Sequence, residues 1–213
     1  MSEQELNTVT EPDQNDIKPS NAEADNTKEW QAEFFPVSEG KLITLYVLSF
    51  GLYGVYWFYK NWKLQQPRMD KKISPVLRSV FSILFTHSLF RIIDKSAEHL
   101  EKKHKFNANG LATLFVAAIV VSNIIDYVPP GAGGSVYITS NTVIITSIII
   151  FLLSVWPLVK VQATVNRIND DILGYLNYKY SMWNYGVIAL GVVTWILIAM
   201  GLLFESMGLG IEQ

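Results

Sequence analysis

Long apolar runs without a charged side chain are the feature that most constrains this chain. Between Phe106 and Phe204 only six residues are charged: Asp126, Lys160, Arg167, Asp170, Asp171 and Lys179. A helix of about 20 apolar residues spans the hydrocarbon core of a bilayer, which is about 30 Å thick. The sequence therefore predicts an all-α fold, a polytopic transmembrane helix bundle with four or five hydrophobic helices.

Five hydrophobic segments carry this prediction within a transmembrane domain over residues 31–205. They are residues 42–59, 73–93, 111–127, 143–159 and 185–204. Segment two, residues 73–93, contains two arginines, and an arginine at mid-membrane costs about 2.5–3.5 kcal/mol. It is therefore interfacial or spanning, which leaves the helix count open between four and five. Residues 206–213 form a short C-terminal tail.

The N-terminal residues 1–30 have a different composition. Residues 1–41 hold ten acids against three lysines, and branched aliphatic side chains are scarce before Trp30. Such a stretch cannot bury enough apolar surface to offset the entropy lost on ordering. The sequence predicts a disordered acidic tail.

Basic residues indicate an orientation in a bacterial inner membrane. Residues 60–105 hold eleven of the seventeen Lys and Arg, whereas the hairpin 128–142 and the C-terminus have none. The positive-inside rule then places loops 94–110 and 160–184 in the cytoplasm and the C-terminus in the periplasm. The basic region is also expected to attract anionic lipid headgroups, at about 1 kcal/mol per Lys or Arg.

Two arrangements remain upstream, and both assume that segment one crosses the membrane. If segment two does not cross, residues 60–110 are cytoplasmic and the acidic tail is outside. If it crosses, the tail is cytoplasmic and loop 60–72, with its five basic residues, is outside. The first arrangement is favoured, because the second violates the positive-inside rule in a short loop, where the rule is strongest.

Polar side chains within hydrophobic segments are the candidate functional residues, since such residues are costly and often mark a pathway. They are Arg78, His87, Arg91, Asn123 and Asp126. A structural role is favoured for His87. A structural or capping role is favoured for Asp126, because it directly precedes Tyr127.

No catalytic signature accompanies these residues. The chain has no cysteine, no HExxH and no GK[ST] loop, so no catalytic residue, metal site or cofactor is predicted. We expect a non-enzymatic accessory or assembly component that meets a second copy or a membrane protein partner. The alternative is a small oligomeric transporter or channel that uses the polar intramembrane residues. A lipid-modifying enzyme ranks last, and nucleic-acid binding is not expected.

Aromatic residues cluster at the end of segment one, where they predict an interfacial belt. They are Tyr53, Tyr56, Trp57, Tyr59 and Trp62. The run from Ser49 to Trp62, preceded by Phe35-Pro36-Val37-Ser38, resembles a family of bacterial multi-pass inner-membrane proteins with no assigned activity. Further positions that look shared are Ser74-Pro75 with Arg78, and Gln162, Asn166 and Asn169. The resemblance implies a multi-pass membrane protein and carries over no site.

Overall fold

The computed structural model describes residues 32–100, 107–125, 127 and 140–207. Within these residues the chain is all-α, and its helices are α1 Glu39–Leu48, α2 Leu52–Gln65, α3 Pro75–Val80, α4 Ser82–His99, α5 Ala108–Ile125, α6 Ser140–Ile168 and α7 Met182–Ser206. The predicted disordered tail, Asp126, most of the hairpin 128–142 and the last residues of the C-terminal tail lie outside the described residues.

Three of the described helices are long and apolar enough to cross a membrane: Ala108–Ile125, Asn141–Ile168 and Met182–Ser206. Helices α5 and α6 pack against each other, and Ser122 on α5 and Ile148 on α6 line the same cavity. The described part of the chain therefore has three candidate spans, where the sequence predicted four or five hydrophobic helices.

Segment one is a helical hairpin and not one spanning helix. It breaks at Phe50 and Gly51, whose φ angles are 52° and 85°. A left-handed residue cannot continue a right-handed helix, and for a residue with a Cβ it costs about 1–2 kcal/mol. The Gly51 amide donates to the Tyr46 carbonyl at 2.8 Å and closes α1, and the Ser49 hydroxyl accepts from the Tyr53 amide at 2.8 Å and opens α2.

Both ends of this hairpin lie at the same end of the bundle. Its tip reaches about midway along α7, where the Phe50 ring stacks on Trp195 with centroids 5.2 Å apart. The hairpin then returns to the end of the bundle where it began. There the Gln65 side chain at the end of α2 donates to the Glu33 carbonyl at 2.8 Å. The single crossing helix that both arrangements assume for segment one is therefore not what the structure shows. Residue 33 lies at the same end of the bundle as Gln65 and Arg68, whose side chains both donate to its carbonyl.

Segment two is also divided, into α3 and α4 at Phe81, and neither part is among the three candidate spans. Helix α4 buries one face, which includes Leu89, Phe90 and Ile93. It packs over the end of the bundle, since Phe85 contacts Trp62 and the Ser96 hydroxyl donates to the Glu33 carboxylate. Segment two is therefore not one continuous helix, and the choice between an interfacial and a spanning position stays a prediction.

Helix α7 is attached to the rest of the protein mainly through α1. Gly191 is the buried residue of α7. A Cβ on Gly191 would lie 2.1 Å from the Leu48 carbonyl oxygen, so only glycine permits this close approach of the two helices.

The hairpin predicts which introduced cysteines label from the same side of the membrane. Gly40 and Gln66 are exposed at the two ends of the hairpin, and Met207 is exposed at the far end of α7. Because the natural chain has no cysteine, labelling of Gly40→Cys, Gln66→Cys and Met207→Cys has no background. A membrane-impermeant maleimide should label the first two from one side and the third from the other. Labelling of Gly40→Cys and Gln66→Cys from opposite sides would contradict the hairpin.

The contact of α7 with α1 predicts the effect of a single methyl group. Gly191→Ala should force the two helices apart and lower the free energy of unfolding by about 1–3 kcal/mol, as overpacking does. Thermal unfolding in mild detergent measures this. Gly201→Ala is the matched control, since a Cβ there meets nothing within 4 Å. Equal stability of the two variants would refute the close contact.

Candidate functional site

An irregular segment, residues 33–37, is buried against the helices at the end of the bundle where the hairpin begins. The side chains of Phe34 and Val37 are fully buried, and Phe35 is nearly so. Because the segment is neither helix nor strand, its backbone polar groups need partners from elsewhere. Six amide side chains supply them, and we call this set the amide cradle: Asn61, Gln65, Gln162, Asn166, Asn169 and Asn177.

Helix α6 contributes two of these amides, Gln162 and Asn166, and Asn169 directly follows its last residue, Ile168. The three positions are spaced i, i+4 and i+7, which places them on one helical face. The Asn169 side chain accepts from the Glu33 amide at 2.9 Å and donates to the Phe34 carbonyl at 2.8 Å. Asn166 donates to the Val37 carbonyl at 3.0 Å and accepts from Gln162 at 2.6 Å. These three amides therefore hold the irregular segment through its backbone.

Helix α2 and the loop before α7 complete the amide cradle. Asn61 accepts from the Phe35 amide at 3.1 Å. Asn177, in the 3-10 turn Tyr175–Asn177, donates to the Pro36 carbonyl at 3.0 Å. The Trp57 indole donates to Gln162 at 2.6 Å and ties α2 to α6. In the sequence, Gln162, Asn166 and Asn169 stand out only as shared positions, and no pattern assigns Gln65 or Asn177 a role in a site. The i, i+4, i+7 spacing on α6 was the signal that could have grouped them.

The predicted polar residues are not assembled into one site among the described residues. Arg78 lies over the rings of Trp62 and Phe85, at 4.4 and 5.1 Å from their centroids. His87 Nε2 lies 3.1 Å from the Thr113 hydroxyl on α5. Arg91 is exposed on α4.

Asn123 is likewise isolated from the other predicted residues. Its amide donates to the Ile119 carbonyl of its own helix at 2.7 Å. Asp126, predicted on the same helical face, lies outside the described residues.

The predicted aromatic belt is divided by the fold. Trp57 and Trp62 are fully buried inside the protein, and Tyr59 is half-buried. Tyr53 and Tyr56 line a cavity instead.

That cavity lies between the hairpin and α7, has a volume of about 780 Å³, and is called the groove here. Leu48, Leu52, Val187, Leu190 and Thr194 are among its lining residues away from the start of α7. At the end near the start of α7 its lining is polar, with Lys41, Asn177, Lys179, Ser181 and Asn184. Volumes of about 300–1,000 Å³ are typical of small-molecule sites. The groove therefore has the size and the polarity gradient of a site for an amphiphile.

Lys41 is the buried cation of the groove, with 6% of its surface exposed. Its ammonium donates to the Asn177 side-chain oxygen at 2.7 Å and to the Lys179 carbonyl at 2.6 Å. It also lies 5.8 Å from the centroid of the Tyr180 ring. Burial lowers the pKa of Lys41 from its ordinary value. The partners that the described residues offer this ammonium are all uncharged.

The described residues contain no group of three or more His, Cys, Asp or Glu side chains that could hold a metal ion. No family model, no curated protein and no solved structure matches this chain. The function must therefore be argued from the amide cradle and the groove themselves.

The amide cradle predicts a large effect from one uncharged substitution. Asn169→Leu removes the partners of the Glu33 and Phe34 backbone groups, and each buried polar group left unpaired costs about 1–3 kcal/mol. We expect lower thermal stability in detergent and faster proteolysis near residue 33. Asn123→Leu is the matched control, because its amide bonds only within its own helix. If Asn169→Leu behaves like Asn123→Leu, the amide cradle does not hold the segment.

Proposed function

We propose that this chain is a non-enzymatic accessory component of a bacterial inner membrane that binds a membrane lipid in the groove. The observation that carries the proposal is the cavity of about 780 Å³ between the re-entrant hairpin and a candidate spanning helix. One of its ends is polar and the rest is largely apolar, which is the pattern of a headgroup followed by an acyl chain.

The length of the groove supports a lipid as its occupant. Its lining on α7 extends from Ser181, the residue that caps this helix, to Thr194. The stretch from Asn184 to Thr194 is about 15 Å of helix, which is half of the roughly 30 Å hydrocarbon core. An acyl chain of one leaflet would thus lie along α7 while its headgroup stays at the level of Lys41.

The walls of the groove are partly open to the surrounding bilayer. Leu52 and Leu190 are both 72% exposed, and Trp183 is 87% exposed. A lipid can therefore enter sideways from its own leaflet. In the proposed role, the bound lipid forms part of the surface that α7 offers to a second copy or to another membrane protein.

The orientation belongs to the same proposal. Arg68, Lys71 and Lys72 are exposed beyond α2, at the end of the bundle where the hairpin begins, and the apolar stretch of α7 from Met182 to Phe204 has no charge. The positive-inside rule then favours a cytoplasmic position for the amide cradle and for loops 94–110 and 160–184, with the end of α7 in the periplasm.

A non-enzymatic role is supported by what the buried polar side chains do. The buried amides of the cradle are bonded to backbone groups or to each other. They hold the fold together through these bonds, which argues against a catalytic role for them.

Photocrosslinking tests lipid binding. The purified full chain is placed in nanodiscs that contain phospholipid with a photoreactive acyl chain, and labelled residues are mapped by mass spectrometry. We expect labels at Leu48, Leu190 and Thr194. Leu190→Trp should fill the groove and remove most of this labelling. Leu197→Trp is the matched control, since Leu197 is 61% exposed on the same helix but does not line the groove. Labelling spread evenly over α7, unchanged by Leu190→Trp, would refute the proposal.

A further inference from the structure

We infer that the groove selects an anionic phospholipid, whose phosphate is bound by the buried ammonium of Lys41. The inference rests on the proposed function and goes further by naming the headgroup chemistry. It follows from the charge at the polar end of the groove and from the donors that surround this charge.

The charge of Lys41 is not neutralised by any described side chain. Its bonds go to an amide oxygen and a backbone carbonyl, and its nearest ring is that of Tyr180. Burying an ammonium is unfavourable unless it is paired, and an ion pair inside a protein is much stronger than one in water. Lys41 lines the groove with 6% of its surface exposed. An anion in the groove would supply the missing counter-charge.

The ammonium also retains donor capacity toward the groove. A lysine has three N–H donors, and the bonds to Asn177 and Lys179 use two of them. The remaining one can reach a ligand oxygen without disturbing the other two. A phosphate offers several acceptor oxygens, so one bond to Lys41 leaves others for neighbouring groups.

Those neighbouring groups favour an anion as well. The N-terminus of α7 begins at the same end of the groove, where the Ser181 hydroxyl caps it by accepting from the Asn184 amide. Helix N-termini carry a partial positive charge and favour anions. Lys179 is exposed beside this end and adds a second cation.

The same charges discriminate between headgroups. Phosphatidylcholine carries a trimethylammonium group next to its phosphate, and this group would meet Lys41 and Lys179 as a like charge. Phosphatidylglycerol has the same phosphate without a cation. Like charges brought together at a desolvated site oppose binding, so the zwitterionic lipid should bind more weakly.

The experiment compares the two lipids with the same photoreactive acyl chain, each diluted into phosphatidylcholine nanodiscs that contain the full chain. Phosphatidylglycerol should label the groove more strongly. Lys41→Gln should lower its labelling about tenfold, which corresponds to about 1.4 kcal/mol, without lowering phosphatidylcholine labelling, because the like charge that opposes this lipid is also removed. Lys41→Arg should restore the preference, since it restores the charge.

Two controls separate this site from general electrostatics and from misfolding. Lys95→Gln removes an exposed charge on α4 away from the groove and should keep the preference. Leu190→Trp leaves Lys41 intact and should reduce labelling by both lipids alike.

The possible failures are distinguishable. Equal labelling of the groove by both lipids, or a preference that survives Lys41→Gln, overturns the headgroup selection and leaves lipid binding standing. Labelling of the groove by neither lipid overturns the proposed function together with this inference.

Discussion

The fold depends on hydrogen bonds to the buried backbone N–H and C=O groups of residues 33–37. This segment is buried at the end of a helical bundle without a helix or strand of its own, where unpaired backbone groups would be costly. Amide side chains from α2, α6 and the loop before α7 provide the hydrogen bonds. Amides suit this task because each one both donates and accepts without introducing a charge. One network thereby fixes the relative positions of three parts of the chain that are far apart in sequence.

Anchoring the hairpin at both ends explains why it returns instead of crossing. The segment before α1 and the end of α2 are bonded to each other through Glu33 and Gln65. The left-handed residues Phe50 and Gly51 then reverse the chain about midway along α7. Irregular backbone at membrane depth is tolerated when protein covers it, and here the Trp195 indole donates to the Val47 carbonyl at 3.3 Å. The groove exists because this hairpin, and not a full span, lies beside α7.

Hydropathy predicted α5, α6 and α7, because an uncharged apolar run of this length is typical of a helix that spans the hydrocarbon core of a bilayer. The same reasoning did not foresee the hairpin in segment one, although residues 42–59 are likewise uncharged. Its course is decided by the conformation of Phe50 and Gly51 and by bonds to residues more than a hundred positions away. Polarity singled out Arg78, His87 and Asn123, yet each of these residues has a separate partner and they form no common site. The spacing of Gln162, Asn166 and Asn169 in the sequence shows that they share a helical face. The groups they bond to, in the backbone of residues 33–37, are brought to that face only by the fold.

The amide cradle and the groove meet at Asn177. Its amide nitrogen donates to the Pro36 carbonyl, so its oxygen is turned toward Lys41 and accepts from the ammonium. The bond to Pro36 therefore fixes the orientation of the Asn177 side chain. That orientation in turn fixes the position of the Lys41 ammonium. Since neutral oxygens hold the ammonium without neutralising it, the network that anchors the hairpin also maintains a positive charge at the polar end of the groove. One chain of hydrogen bonds thus runs from the backbone carbonyl of Pro36 through Asn177 to the ammonium of Lys41 in the groove.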